Sequence, residues 1–171
     1  MATRRAAAKA KAVVEGSAPK TDPALVPPGL RADGFELTVQ RAIAVPADVA
    51  WQAFASASKM TAWGGGRHRQ QFREGGTWSH AGWGGGRIRR IAEGRYIGMT
   101  WTGKRAARGS VVEIEFRERG AGTTVKLSHR RIATAEEREE LRAHWSWAMD
   151  SLKSYAESGA PIAREDWVAA R

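Results

Sequence analysis

Two periods divide this chain. From Phe35 to Arg131 the apolar residues come in short runs that alternate with polar ones, and beyond Thr134 they recur at steps of four and three. Alternation sends successive side chains to opposite faces of a strand, whereas steps of three and four keep them on one face of a helix. Phe35, Leu37, Val39 and Ile43 therefore predict a half-buried strand, with Arg41 breaking its apolar face. Pro46 suits the first turn of a short helix carrying Val49, Ala50, Ala53 and Phe54, and Met60 to Trp63 closes a second helical turn. Strands are expected after Gly75–Gly76 through Trp83, from Arg87 to Ala92 and from Tyr96 to Thr102. Ser110 to Phe116 and Thr123 to Arg131 form a last hairpin around Gly120–Ala121–Gly122. One long helix follows, with Leu141, Trp145, Ala148, Leu152 and Tyr155 on a single stripe. Thr134 and Glu137 have the spacing of a capping box at its start, and Gly159 with Pro161 stops it.

A strand, two short helices, an antiparallel run and a long terminal helix predict an α+β fold with its helices on one side of the sheet. A long rod behind a strand meander must bury its stripe against that meander, and a curved sheet gripping a helix leaves a space between them. Trp147 does not fit that stripe. It lies about 120° from the stripe's midline at roughly 100° per residue, so residues 160–171, with Ile162, Trp167 and Val168, are expected to fold back over it. Residues 1–33 mix Ala, Lys, Pro and Gly with few large apolar groups, which predicts a disordered basic tail and an extended linker, with the domain spanning 34–159.

Composition narrows the chemistry. The chain has no cysteine, which excludes disulfides, thiolate metal sites and thiol nucleophiles. No apolar run has the length of a membrane span, and no signal-peptide core follows the N-terminus, so a cytoplasmic location is expected. The formal net charge is +10, and the first 33 residues hold six Lys/Arg against three Asp/Glu, which leaves +7 on the folded part. That balance favours anionic ligands or acidic surfaces without choosing among them. Arg87, Arg89, Arg90, Arg95, Lys104, Arg105 and Arg108 are basic, but the tryptophans that a nucleic-acid surface would interleave are committed to the core, and no recognition helix or RNA-binding signature is present.

The order of the motifs carries a resemblance. Ala44-Val45-Pro46-Ala47-Asp48-Val49-Ala50-Trp51 follows the first strand, and Trp63 ends the second helix. Arg73-Glu74-Gly75-Gly76-Thr77-Trp78, Met99-Thr100-Trp101 and Gly122-Thr123-Thr124-Val125-Lys126-Leu127-Ser128-His129 come next, and Trp145, Met149, Leu152 and Tyr155 stand in the terminal helix. Together they resemble the helix-grip START-like (SRPBCC) superfamily, and within it the group of the activator of the heat-shock-protein-90 ATPase, homologue type. The resemblance implies a curved antiparallel sheet wrapped around the terminal helix. It does not fix an activity, because the superfamily spans lipid carriers, polyketide cyclases and co-chaperones. Two departures stand out: His144 where relatives often have Gly, and a short Gly-rich Trp78–Arg87 hairpin.

Candidate site residues follow from strand parity. Val125, Leu127 and His129 share one face, as do Ile97, Met99 and Trp101, and as do Trp78 and His80. With Trp63 from the second helix and Trp145 and Met149 from the long one, they would line an apolar cavity for a small hydrophobic or aromatic ligand. His80 and His129 would orient a polar group of that ligand, or serve as a base in a cyclase-like enzyme. Arg67 and Arg87 would meet an anionic group. The alternative to a cavity is a filled core, which a co-chaperone-like interaction module would have. No metal site is expected, since no two histidines stand at ligand spacing, and nothing in the chain calls for a cofactor. The glycine triplets of the two Trp-Gly-Gly-Gly-Arg pentapeptides, at Trp63 and Trp83, read as loose turns: a helix-to-strand loop and a hairpin turn.

Overall fold

A computed structural model describes residues 30–31, 33–103 and 106–171. The order is β1 (Leu30–Arg31), β2 (Gly34–Ile43), α1 (Ala47–Ala55), α2 (Ala57–Trp63), β3 (His68–Gln70), β4 (Thr77–His80), β5 (Gly84–Ala92), β6 (Tyr96–Gly103), β7 (Ala106–Arg119), β8 (Gly122–Ile132), α3 (Ala135–Ser158) and α4 (Arg164–Ala169). The strands form one antiparallel sheet in the order β1-β2-β8-β7-β6-β5-β4-β3. This is the α+β helix-grip architecture, with β2 returning beside β8 and α3 lying across both.

Register explains the faces. Val39 opposes Leu127, and Leu127 opposes Ile114, so three neighbouring strands present apolar side chains toward α3. The opposite face is polar and paired: Glu115 accepts from Arg117 and Lys126, and Glu113 pairs with Arg130. Arg41, which interrupts the apolar pattern of β2, reaches Asp150 on α3 at 2.6 Å. The start of α3 is capped by Thr134, whose Oγ1 accepts from the Glu137 backbone N–H. Glu137 reaches back to the Ala133 N–H, one residue earlier than the reciprocal bond of a capping box. Gly159 ends the helix in the left-handed region at φ 79°, where a Cβ would be strained.

Residues 160–171 run back along α3. The Trp147 indole donates to Ile162 O at 2.8 Å, Ser151 Oγ accepts from the Ile162 N–H, and Trp167 donates to Asp150. Val168, expected in that contact, is 58 % exposed because it lies on the outer side of α4.

Four sequence expectations change. The chain pairs already at Leu30–Arg31, inside the segment read as linker; residues 1–29 and 32 lie outside the described residues. Residues 68–70, to which the sequence pattern gives no element, form edge strand β3, with His68 opposite His80. The second glycine triplet is not a turn: Gly84–Gly86 is the first part of β5, and the turn is Ala81–Trp83. Nor are the triplets loose. A Cβ on Gly86 would collide with Thr100 O and the Trp78 indole, and one on Gly84 with Thr102 O. In the first triplet, a Cβ on Gly64 would stand 2.6 Å from His80 Nε2, and one on Gly65 would stand 2.9 Å from the Trp147 ring. Both triplets are glycine because aromatic side chains or strand backbone lie directly on them.

Candidate functional site

The space between sheet and α3 is almost filled. An enclosed cavity of about 30 Å³ remains, lined by 15 side chains that include Trp63, His68, Trp78, Trp83, Met99, Trp101 and Trp145. That is room for about one or two waters, not for a drug-sized molecule. Of the residues expected there, Trp63, Trp78, Met99, Trp101 and Trp145 line it. His80, Leu127, His129 and Met149 are buried nearby but do not. Arg67 and Arg87 are exposed and border neither this cavity nor the groove outside it; Arg87 instead donates to Gly75 O.

At the inner end, the aromatic side chains are locked by a directional chain of hydrogen bonds. The Trp145 indole can only donate, so His129 Nδ1 accepts from it at 3.1 Å. His129 Nε2 therefore carries the proton and donates to Ser110 Oγ at 3.0 Å, and Ser110 donates to Trp101 O. Helix α3 is thereby tied through β8 and β7 to β6. Burial pulls the His129 pKa down to about 4, so the ring is neutral near pH 7. With both nitrogens occupied it is a structural crosslink rather than a free base.

The outer end differs. His80 Nδ1 donates to Ala81 O, leaving Nε2 as a buried acceptor with no hydrogen-bond partner among the described residues. Its pKa also falls to about 4, first through burial. His68 Nε2 donates to Gln70 Oε1, an orientation set by the Gln70 amide, which gives both its protons to Phe54 O and Ala55 O. That leaves His68 Nδ1 without a partner among the described residues, and burial lowers this ring's pKa too. The Trp101 indole N–H is likewise unpartnered. An otherwise apolar cavity is thus bordered by one spare acceptor and one spare donor. Among the described residues no three His, Asp or Glu side chains gather closely enough to hold a metal ion.

Trp83 sits where these groups converge. Its ring stacks on His80 at 4.0 Å with an interplanar angle of 6°. It meets Trp63, His144, Trp145 and Trp147 edge-on, and lies 6.2 Å from Trp101. Outside it runs an open groove of about 510 Å³, bounded by the Ala81–Trp83 turn, His144, Trp147 and residues 161–165. Arg164 stands in this groove, donating to His144 Nδ1 and lying 5.6 Å from the Trp147 ring centre. Sequence reasoning missed His68, Trp83 and Arg164. For Trp83 the signal was present, since Trp78, His80 and a turn after them leave it at the mouth of the strand pair.

The sequence model of the activator of Hsp90 ATPase homolog 1-like protein family matches residues 44–157. Among solved structures, the chain is similar to CalU16 from Micromonospora echinospora, at 23 % identity and TM-score 0.66, with 76 % of this chain and 82 % of that one covered. It is similar to PFC0360w, an HSP90 activator from Plasmodium falciparum, at 22 % identity and TM-score 0.60, covering 66 % and 89 %. DynU16, from the dynemicin biosynthetic locus, aligns at 18 % identity and TM-score 0.65 over 74 % of this chain and 48 % of that one. At these identities the structures speak for the fold. No curated protein sequence matches the chain.

Proposed function

We propose a binding function for this chain, which belongs to the activator of Hsp90 ATPase homolog 1-like family: it holds a small, mostly apolar or aromatic ligand between the sheet and α3. The observation that carries this reading is the pair of unpartnered polar atoms on an aromatic-walled cavity, His68 Nδ1 and Trp101 Nε1. Buried polar groups in a finished core are satisfied, and leaving one unmade costs about 1–3 kcal/mol. A ligand carrying one donor and one acceptor would complete both. Trp63, Trp78, Met99, Trp101 and Trp145 supply the apolar walls, and Arg164 at the groove suits an anionic substituent.

The other readings have less support. A cyclase-like enzyme needs a base, but His129 has both nitrogens committed, and neither its ring nor that of His80 is hydrogen-bonded to a carboxylate. An interaction module agrees with the small cavity and with the HSP90 activator among the fold neighbours. It lacks an apolar docking patch, because Val49 and Val168 are the only large exposed hydrophobics among the described residues.

Native mass spectrometry of the freshly purified full chain, followed by thermal-shift titration with a panel of neutral and anionic aromatics, tests the reading. A retained small mass, or stabilisation by a panel member, supports it. A bare protein that no panel member stabilises refutes it.

A further inference from the structure

We infer that Trp83 is a built-in occupant of the ligand site, and that a planar aromatic ring of about indole size binds by taking its place. The inference rests on the binding function proposed above and states what the ligand must displace.

Three observations carry it. First, Trp83 is the partition between two spaces. It lines both the 30 Å³ cavity and the 510 Å³ groove, a position it shares only with Trp63. Trp63 is fixed, fully buried, with its indole donating to Ala53 O at 2.9 Å. Second, Trp83 is held by ring contacts alone. Trp63, Trp78, Trp145, Trp147 and Trp167 each donate their indole N–H to a protein acceptor. Among the described residues the Trp83 indole makes no such bond, and the side chain is only half-buried. Its neighbours form a slot of the right chemistry for a flat ring: His80 stacked on one face, with Trp145, Trp147 and His144 meeting it edge-on. Third, the backbone permits the side chain to leave. The turn Ala81–Trp83 is anchored at its start, where the Ala81 N–H donates to Arg67 O and Ala81 O accepts from His80 Nδ1, and is closed by the bond from Trp83 N–H to His80 O. Gly82, at φ 81°, has nothing within 4 Å of where its Cβ would be, whereas Gly84–Gly86 behind it is clamped against β4 and β6. An unobstructed glycine between an anchored Ala81 and a fixed strand is a pivot for one side chain.

A ligand ring entering the slot would inherit the His80 stack and lie beside the cavity that Trp101, with its spare donor, and His68, with its spare acceptor, both line. Expelling Trp83 joins the cavity to the groove, which removes the size objection raised by 30 Å³.

The experiment uses the full chain and indole itself. In Trp83→Ala the slot is vacated, and isothermal titration should show one indole bound per chain, with the melting temperature rising as indole is added. The wild type should bind indole about tenfold more weakly or worse, because the tethered side chain competes at an effective concentration in the millimolar range or above. A folded Trp83→Ala protein that binds no indole, or binds it no better than wild type, overturns the inference. Should Trp83→Ala fail to fold, wild-type protein labelled with 5-fluorotryptophan gives the same decision, with the Trp83 resonance assigned from Trp83→Phe. Adding a ligand found by the native mass spectrometry or the titration panel should move that resonance to a solvent-exposed position. A ligand that binds while Trp83 stays buried overturns the exchange yet leaves the binding function standing. If no aromatic binds either protein, both fall.

Discussion

Trp145 and Trp83 touch each other at 5.7 Å, and they are anchored in opposite ways. Trp145 begins a hydrogen-bonded chain that runs through His129 and Ser110 to the backbone of β6. Trp83 has stacking and edge contacts but no hydrogen bond from its indole, and it stands on a three-residue turn. Stacking is tolerant of the identity of the ring, whereas a donor-acceptor chain specifies each atom along it. The same aromatic cluster thus contains a fixed wall and an exchangeable member. The difference teaches where to look for function: at the side chain the fold holds least specifically.

Trp145→Ala should destabilise most, by about 3–5 kcal/mol in denaturant unfolding, whereas Trp83→Ala should cost about 1–2 kcal/mol. Equal losses would erase the distinction between wall and occupant. Next comes His129→Ala, expected to cost about 2–4 kcal/mol, since it opens a void, strands the Trp145 indole donor and leaves Ser110 Oγ without the proton it accepts. A loss under about 1 kcal/mol would show that the chain is not a structural tie.

The histidines make the cluster acid-sensitive. His129 and His80 have folded pKa values of about 4 against an ordinary 6.5, so between those limits the unfolded chain binds more protons than the native one. Stability should be full above pH 6.5 and fall as the pH drops toward 4. Chemical denaturation at pH 7, 5.5 and 4.5 reads this directly, and His129→Ala should flatten part of the slope. Smallest of all, Asp150→Asn should cost about 1 kcal/mol, because its partners Arg41 and Arg171 are partly exposed. The expected readout is a slightly lower melting temperature with aromatic binding unchanged.

Much of the fold was legible because the periods are clean. Phe35–Ile43 alternates, the 141–155 stripe is helical, and Thr134 and Gly159 mark the ends of α3 where the structure has them. The cavity walls Trp78, Met99 and Trp101 followed from strand parity, and Trp145 from the helical stripe. What parity cannot give is volume, and five tryptophans, Trp63, Trp78, Trp83, Trp101 and Trp145, closed a space that the pattern left open. Nor could it give hydrogen-bond direction. His129 reads as a base in one dimension and becomes a crosslink only when Trp145 and Ser110 arrive from residues 16 and 19 positions away. Strand β3 was illegible for a third reason: three residues between glycine-rich stretches carry no period, and His68 was lost with them. The two Trp-Gly-Gly-Gly-Arg pentapeptides make the point most simply. One copy turns under His80 and Trp147, the other runs flat into β5, and only the neighbours decide which.

So dense a gathering of indoles has an optical consequence. Rings 5–6 Å apart exchange excitation before they emit, so light absorbed by Trp78 or Trp101 will leave from whichever neighbour lies lowest in energy. Emission from this protein reports on the assembly as one chromophore, and moving a single ring out of it should change the colour and brightness of the whole.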